Sequence, residues 1–158
     1  MNEELSSSGL RDHTGYWLHR LANLVHHTFE HALSEHDVTV AQWNVLVVVY
    51  RGDAVTPFDV ARFIDIDTGA VTRLVDRLIE KQLLVRQPDP TDRRSIRLTL
   101  TDKGQQLVPR LVQVADENDR QFFAMLTPTE YQQLRALVGK LLAAHDIVMP
   151  ETMKGDLQ

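Results

Sequence analysis

Residues 68–104, TGAVTRLVDRLIEKQLLVRQPDPTDRRSIRLTLTDKG, change their hydrophobic period twice. In the first part Val71, Leu74, Val75, Leu78 and Ile79 recur at spacings of three and four, which predicts an amphipathic helix with Thr72, Arg73, Asp76 and Arg77 outside. Asp67 or Thr68 can cap its start. The pattern then becomes extended. Residues 83–86 and 95–101 read as two strands, the second alternating Ile96, Leu98 and Leu100 with Arg97 and Thr99. The intervening QPDPTDRR is rich in Pro and Asp, so the strands form a hairpin with a long basic loop.

Upstream, the same chemistry marks three more helices. Leu18, Leu21, Val25, Phe29 and Ala32 form a helical stripe in residues 13–34. Thr39 with Gln42 three residues on is a capping box for a second helix, through Trp43, Leu46, Val47 and Tyr50 to a stop near Gly52. Thr56-Pro57-Phe58-Asp59 starts a short third helix ending near Ile64, with Thr as cap, Pro in the first turn and an acid beside the helix dipole. Downstream, Thr101-Asp102-Lys103-Gly104 opens a helix carrying Leu107, Leu111, Val114, Phe122 and Met125, with a bend or irregular turn expected at Pro109. Thr127-Pro128-Thr129-Glu130 caps a sixth helix through Leu134, Leu137, Leu141 and Leu142, and the tail from Met149 reads as frayed.

The order of two short helices, a strand, a basic loop and a second strand, set between longer helices, is that of a winged helix-turn-helix. The fold class is mainly α with a small β-hairpin wing. With 158 residues and 43% hydrophobic content, one compact domain over residues 1–158 is expected. No apolar run is long enough for a membrane span, and the opening MNEELSSSGLRDHTG lacks signal-peptide order, so a cytoplasmic protein is expected. Zero cysteines exclude disulfides, thiolate metal sites, a thiol nucleophile and a thiol oxidation switch. The net charge of −5 is unevenly spread: residues 55–104 hold nine Lys/Arg against eight Asp/Glu, and the remainder eight against fourteen. The comparatively basic centre is compatible with a polyanionic partner.

Reading DNA requires a helix whose small, polar N-terminus can approach base edges. Thr68, Gly69, Ala70 and Thr72 supply it, with Arg73 and Arg77 one turn apart on the exposed face. A wing must present a cation to the minor groove from a rigid turn, and Pro88, Pro90, Arg93 and Arg94 provide both. Asp92 is expected to hold the Arg94 guanidinium through a charge-assisted pair.

At these residues the chain resembles the multiple-antibiotic-resistance (MarR) family. Asp89-Pro90-Thr91-Asp92-Arg93-Arg94-Ser95, followed by Leu98-Thr99-Leu100-Thr101-Asp102-Lys103-Gly104, is similar to that family's wing signature, and Val71-Thr72-Arg73-Leu74-Val75-Asp76-Arg77-Leu78 to its recognition helix. The likeness extends in kind and order to the flanking helices. It implies a winged helix-turn-helix part at residues 38–101 and a helical dimerisation region, formed by the flanking helices, at residues 13–36 and 102–147. It further implies a homodimer on a pseudo-palindromic operator in double-stranded DNA, with half-sites about 10 base pairs apart.

Other constellations carry less. His27 and His31 share a helix face, but no HExxH and no further ligand accompany them, so no metal or cofactor is expected. Trp17 and Trp43 could stack on an aromatic effector, with Arg20 pairing its carboxylate and His27 nearby, although large aromatics on amphipathic helices mostly pack in cores. The acid pairs Asp65/Asp67 and Glu35/Asp37 sit at helix ends without a nucleophile, phosphate loop or triad, which argues against an enzyme. The expectation is a sequence-specific DNA-binding regulator, a repressor released by a small aromatic or anionic ligand. The competing reading is a winged-helix protein-interaction module that does not read DNA.

Overall fold

The computed structural model describes residues 8–92 and 94–150. A single 3-10 turn, Leu10–Asp12, precedes α1 (Thr14–Ser34), α2 (Val40–Arg51), α3 (Pro57–Phe63) and α4 (Thr68–Glu80). The strands β1 (Leu84–Pro88) and β2 (Ile96–Leu100) follow, then α5 (Asp102–Phe122) and α6 (Pro128–Ala143). The opening residues 1–7 and the tail 151–158, read above as frayed from Met149, lie outside the described residues.

The helix starts are set by local side-chain chemistry. Thr39 Oγ1 accepts the Gln42 amide at 3.2 Å while Gln42 Oε1 accepts the Thr39 amide at 3.2 Å, so two backbone donors at the head of α2 are satisfied reciprocally. Thr56 caps α3, Asp67 caps α4 by accepting the Ala70 amide at 2.9 Å, and Thr127 with Glu130 forms a second reciprocal box at α6. α2 ends on Gly52 at φ 75°, a left-handed conformation in which glycine carries no Cβ penalty.

The chain divides into two compact units, residues 1–118 and 119–158, the boundary falling inside α5. In the first, the core gathers one face from each element: Leu33 of α1, Val45 and Leu46 of α2, Val60 of α3, Val71, Val75 and Leu78 of α4, Leu84 and Leu98 of the hairpin, and Val108 and Leu111 of α5. Each such burial contributes roughly 1.5–3 kcal/mol before entropy is counted. The strands pair antiparallel, Leu84 opposite Leu100 and Arg86 opposite Leu98. β2 also docks on the loop before α3, the Leu98 amide reaching the Val55 carbonyl at 2.7 Å. Where α5 begins, a Cβ on Gly104 would stand 2.3 Å from the Leu83 carbonyl oxygen, so the helix approaches this backbone as only glycine permits.

In the second unit Phe122 meets Phe123 edge-on and Phe123 lies tilted against Tyr131, with centroids 5.0 and 5.4 Å apart. The Tyr131 hydroxyl donates to Asp119 at 2.7 Å. Burial, and then that bond, push the Tyr131 phenol above its ordinary pKa. α6 buries no residue fully.

Sequence expectations shift in detail, β2 being shorter at Ile96–Leu100 and β1 running on to Pro88. β1 starts at Leu84 rather than 83, because the Leu83 amide closes the end of α4 on the Leu78 carbonyl. Of the bend or irregular turn expected at Pro109, the irregular turn is absent: α5 is continuous α-helix through that residue, which is exposed where water can serve the carbonyl left without a donor. Met125, expected on that helix, lies past its end and is 88% exposed.

Candidate nucleic-acid interface

α3, the turn after it and α4 form the helix-turn-helix. The turn is held by the Ile66 amide on the Ala61 carbonyl at 3.0 Å, with Asp65 in the left-handed region at φ 55°. α4 packs Val71, Val75 and Leu78 inward, so the helical period turns the opposite side out. Thr68, Gly69, Thr72, Arg73 and Arg77 are exposed and Ala70 is half-buried. The first turn therefore presents small residues over backbone amides, and the second presents cations. The Thr72 hydroxyl donates to the Thr68 carbonyl at 3.0 Å, which leaves its oxygen lone pairs available to accept. Arg73 lies back along the helix, its Nη1 3.8 Å from where a Gly69 Cβ would stand. Neither Arg73 nor Arg77 pairs with an acid among the described residues, so both guanidiniums can meet phosphate or base edges without breaking an ion pair.

The third charge on this face is neutralised from the wing. Arg86 Nη2 of β1 sits 2.6 Å from Asp76 Oδ1 of α4, tying the hairpin to the helix and covering a carboxylate that would repel phosphate. The helical period alone puts Asp76 outside, but nothing local in the sequence pairs it with Arg86. The two are ten residues apart on different elements, and only the hint of a lone Arg on the short strand was available.

The wing loop is organised by two aspartates. Asp89 Oδ1 accepts the Thr91 amide at 2.7 Å, the Thr91 hydroxyl at 2.6 Å and the Asp92 amide at 3.3 Å. The Thr91 hydroxyl, then the Thr91 amide, hold the Asp89 carboxyl below its ordinary pKa. Asp92 Oδ1 accepts the Arg94 amide at 3.0 Å, and the Asp92 carbonyl accepts the Ser95 amide at 2.9 Å. The expected pair between Asp92 and the Arg94 guanidinium is not formed. At a spacing of two, an aspartate reaches the backbone amide more readily than the end of a long side chain. Asp92 thus shapes the loop, and the exposed Arg94 side chain has no acid partner among the described residues. Arg93 lies outside the described residues.

The four residues read as an effector cluster are spread over two helices of the single chain, Trp17, Arg20 and His27 along α1 and Trp43 on α2. Trp43 is half-buried with its ring edge-on to Phe29, centroids 6.0 Å apart. Trp17 sits twelve residues from Phe29 on α1, about 18 Å of helix, with its indole N–H on the Arg11 carbonyl at 2.8 Å. Arg20 and His27 are exposed on α1, His27 Nδ1 lying 3.6 Å from Glu30. Among the described residues no three His, Asp or Glu side chains converge as metal ligands, and no helix is long and apolar enough to cross a membrane.

A capped recognition helix with free arginines, a tethered hairpin and a shaped basic loop define a winged helix-turn-helix protein. The sequence model of the MarR family matches residues 36–95. The multiple antibiotic resistance protein MarR of Escherichia coli is 31% identical over 130 residues, 79% of this chain and 90% of that protein. A crystal structure of an E. coli MarR mutant complexed with operator DNA superposes with a TM-score of 0.76 at 28% identity, covering 86% of this chain and 99% of that one. A structure of Bordetella bronchiseptica BpsR, described by the regulation of its DNA binding by 6-hydroxynicotinic acid, matches with a TM-score of 0.74 at 27% identity, over 89% and 98% of the chains. The chain belongs to the MarR family of winged helix-turn-helix transcriptional regulators.

Proposed function

We propose that this protein is a cytoplasmic homodimeric repressor that binds a pseudo-palindromic operator in double-stranded DNA and is released from it by a small aromatic or anionic ligand. In this reading Thr68, Gly69, Ala70, Thr72, Arg73 and Arg77 face the major groove, and Arg93 and Arg94 reach the minor groove from a loop shaped by Asp92. The observation that carries it is the face of α4. Its two outer arginines have no acid partner among the described residues, while its outer aspartate is neutralised by Arg86 of the wing.

Residues 38–101 then form the DNA-reading part and residues 13–36 and 102–147 the dimerisation part. Apolar side chains left exposed in the single chain, Trp17, Leu18, Leu21 and Leu24 on α1 and Leu137, Val138 and Leu141 on α6, support a second copy as their cover. The effector class is supported by the likeness to BpsR, whose regulating ligand is an aromatic acid. A ligand favouring a dimer with wrongly spaced recognition helices weakens operator binding by its differential affinity. The role in this reading is regulatory, and the shifted acids Asp89 and Glu130 trace to a turn and a helix cap.

Gel shifts on the DNA upstream of the protein's own coding region test this reading. Arg73→Ala and Arg94→Ala should each cost about 1–3 kcal/mol of operator binding. Unchanged affinity in both variants would overturn it. Wild-type affinity should also fall steeply between about 50 and 200 mM salt as counterions compete for the phosphates.

A further inference from the structure

The last residues of α4 lie at the opposite end of the helix from Thr68 and Gly69, and side chains from neighbouring segments converge on them. Lys81 follows the helix directly, its amide on the Arg77 carbonyl at 3.1 Å. Its side chain is only 28% exposed and runs to the turn between α1 and α2. There Nζ donates to the Asp37 carbonyl, lies 3.2 Å from Asp37 Oδ2 and reaches Gln42 Oε1 at 3.3 Å. Gln42 is the single buried polar residue among those described, and the same oxygen closes the cap of α2. Asp37 holds the turn in a left-handed conformation at φ 54°, which aims both its carbonyl and its carboxylate at the lysine.

The other side of this helix end is held from α5. Lys103 Nζ donates to the Lys81 carbonyl at 2.9 Å, and the Thr101 hydroxyl donates to the Gln82 carbonyl at 2.6 Å. The segments that lead out of α1 and into α5 therefore both terminate on residues 81 and 82.

We infer that Lys81 is a positioning residue for operator recognition, fixing the direction of α4 by anchoring its C-terminal end to the α1–α2 turn. The inference rests on the regulator reading above. Its physical basis is leverage. α4 is about 20 Å long at 1.5 Å per residue, so a tilt of about 10° pivoting near Lys81 moves Thr68 by about 3 Å. That exceeds the tolerance of a hydrogen bond to a base edge. The apolar contacts of Val71, Val75 and Leu78 hold the helix against the core without direction, whereas the lysine's three acceptors resist tilt and slide. A displacement of α1 also reaches α4 through this contact.

The test separates positioning from charge and from folding. Lys81→Met keeps the apolar stem, Lys81→Arg keeps a cation with donors, and Asp37→Asn removes the acceptor's charge but keeps its carbonyl. Each is measured against a footprinted duplex from upstream of the protein's coding region and against a random-sequence duplex of equal length, with thermal melting alongside. Losing one cation weakens both duplexes alike, so the ratio of affinities isolates geometry. In Lys81→Met the ratio should fall about tenfold with random-duplex affinity changed less than threefold; Lys81→Arg should recover most of it, and Asp37→Asn should give an intermediate loss. Parallel loss on both duplexes, or an unchanged ratio in Lys81→Met and Asp37→Asn, would overturn the inference while leaving the regulator reading intact. Failure of the wild type to prefer the upstream duplex would remove that reading, and this inference with it.

Discussion

α4 and α6 each carry five leucine, isoleucine or valine residues at helical spacing, and they use them in opposite ways. In α4 Val71, Val75 and Leu78 are fully buried and Leu74 and Ile79 half-buried; in α6 none is fully buried and Leu137, Val138 and Leu141 stand exposed in the single chain. The stripe on α4 is consumed by its own unit, which frees the opposite face for arginines. The stripe on α6 is unspent within the chain. Equal hydrophobic patterning therefore marks two functions: α4 is fixed by the fold so that it can present polar groups, and α6 presents the apolar groups themselves.

Core substitution in the winged unit separates the two most strongly. Leu78→Ala removes a side chain with no exposed surface and should cost about 2–5 kcal/mol in denaturant unfolding, by lost transfer energy plus a cavity. A cost below about 1 kcal/mol would mean that α4 is less firmly seated than its burial implies.

Gly104→Ala comes next. The added methyl would meet the Leu83 carbonyl oxygen at 2.3 Å and Leu100 Cδ2 at 2.9 Å, and a backbone atom cannot rotate away, so α5 must shift. About 1–3 kcal/mol of destabilisation is expected from thermal melting. The same substitution at Gly69 meets no backbone but the Asp67 carboxylate oxygen at 2.8 Å, the atom that caps α4 on the Ala70 amide, so its cost is at most that of the cap, about 0.5–2 kcal/mol.

These contrasts bear on what the amino-acid order discloses. Helix starts were legible because caps are local: Thr39 with Gln42, Thr56 before Pro57, and Thr127 with Glu130 each complete their chemistry within four residues. Asp67, left open against Thr68, is settled by its bond to the Ala70 amide. The winged order was legible because the period changes at Leu83 and again after Thr101. Arg86 with Asp76 and Lys81 with Gln42 were invisible, since such pairings depend on how elements pack. Asp92 was misassigned to the Arg94 guanidinium because charge complementarity was weighed above turn geometry. The apolar stripe of α6 was legible as a stripe, but periodicity carries no sign of whether its cover comes from the same chain.

The Arg86–Asp76 pair gives a smaller effect that tests how α4's outer face is kept ready. Both side chains are partly exposed, at 33% and 52%, so Arg86→Ala should change folding stability by only about 0.2–1 kcal/mol. Operator affinity should fall by about 0.5–1 kcal/mol, because the wing loses its tether and the Asp76 carboxylate meets phosphate uncovered. Adding Asp76→Ala should restore part of that loss. If the double variant binds no better than Arg86→Ala, Arg86 acts on the DNA itself rather than through Asp76.

The smallest effect on the chain's own stability is expected at Leu141, 58% exposed on α6. Exposed substitutions away from packed features stay within about 0.5 kcal/mol, so Leu141→Ala should scarcely alter unfolding at the lowest protein concentrations. With a second copy covering this helix, the variant must lose stability relative to wild type as concentration rises, since only the assembled state feels the missing side chain. Leu78→Ala should show a deficit that does not change with dilution. A Leu141→Ala deficit equally independent of concentration would place that leucine in its own chain's core, and the division of labour between α4 and α6 would fail at the residue where it is easiest to measure.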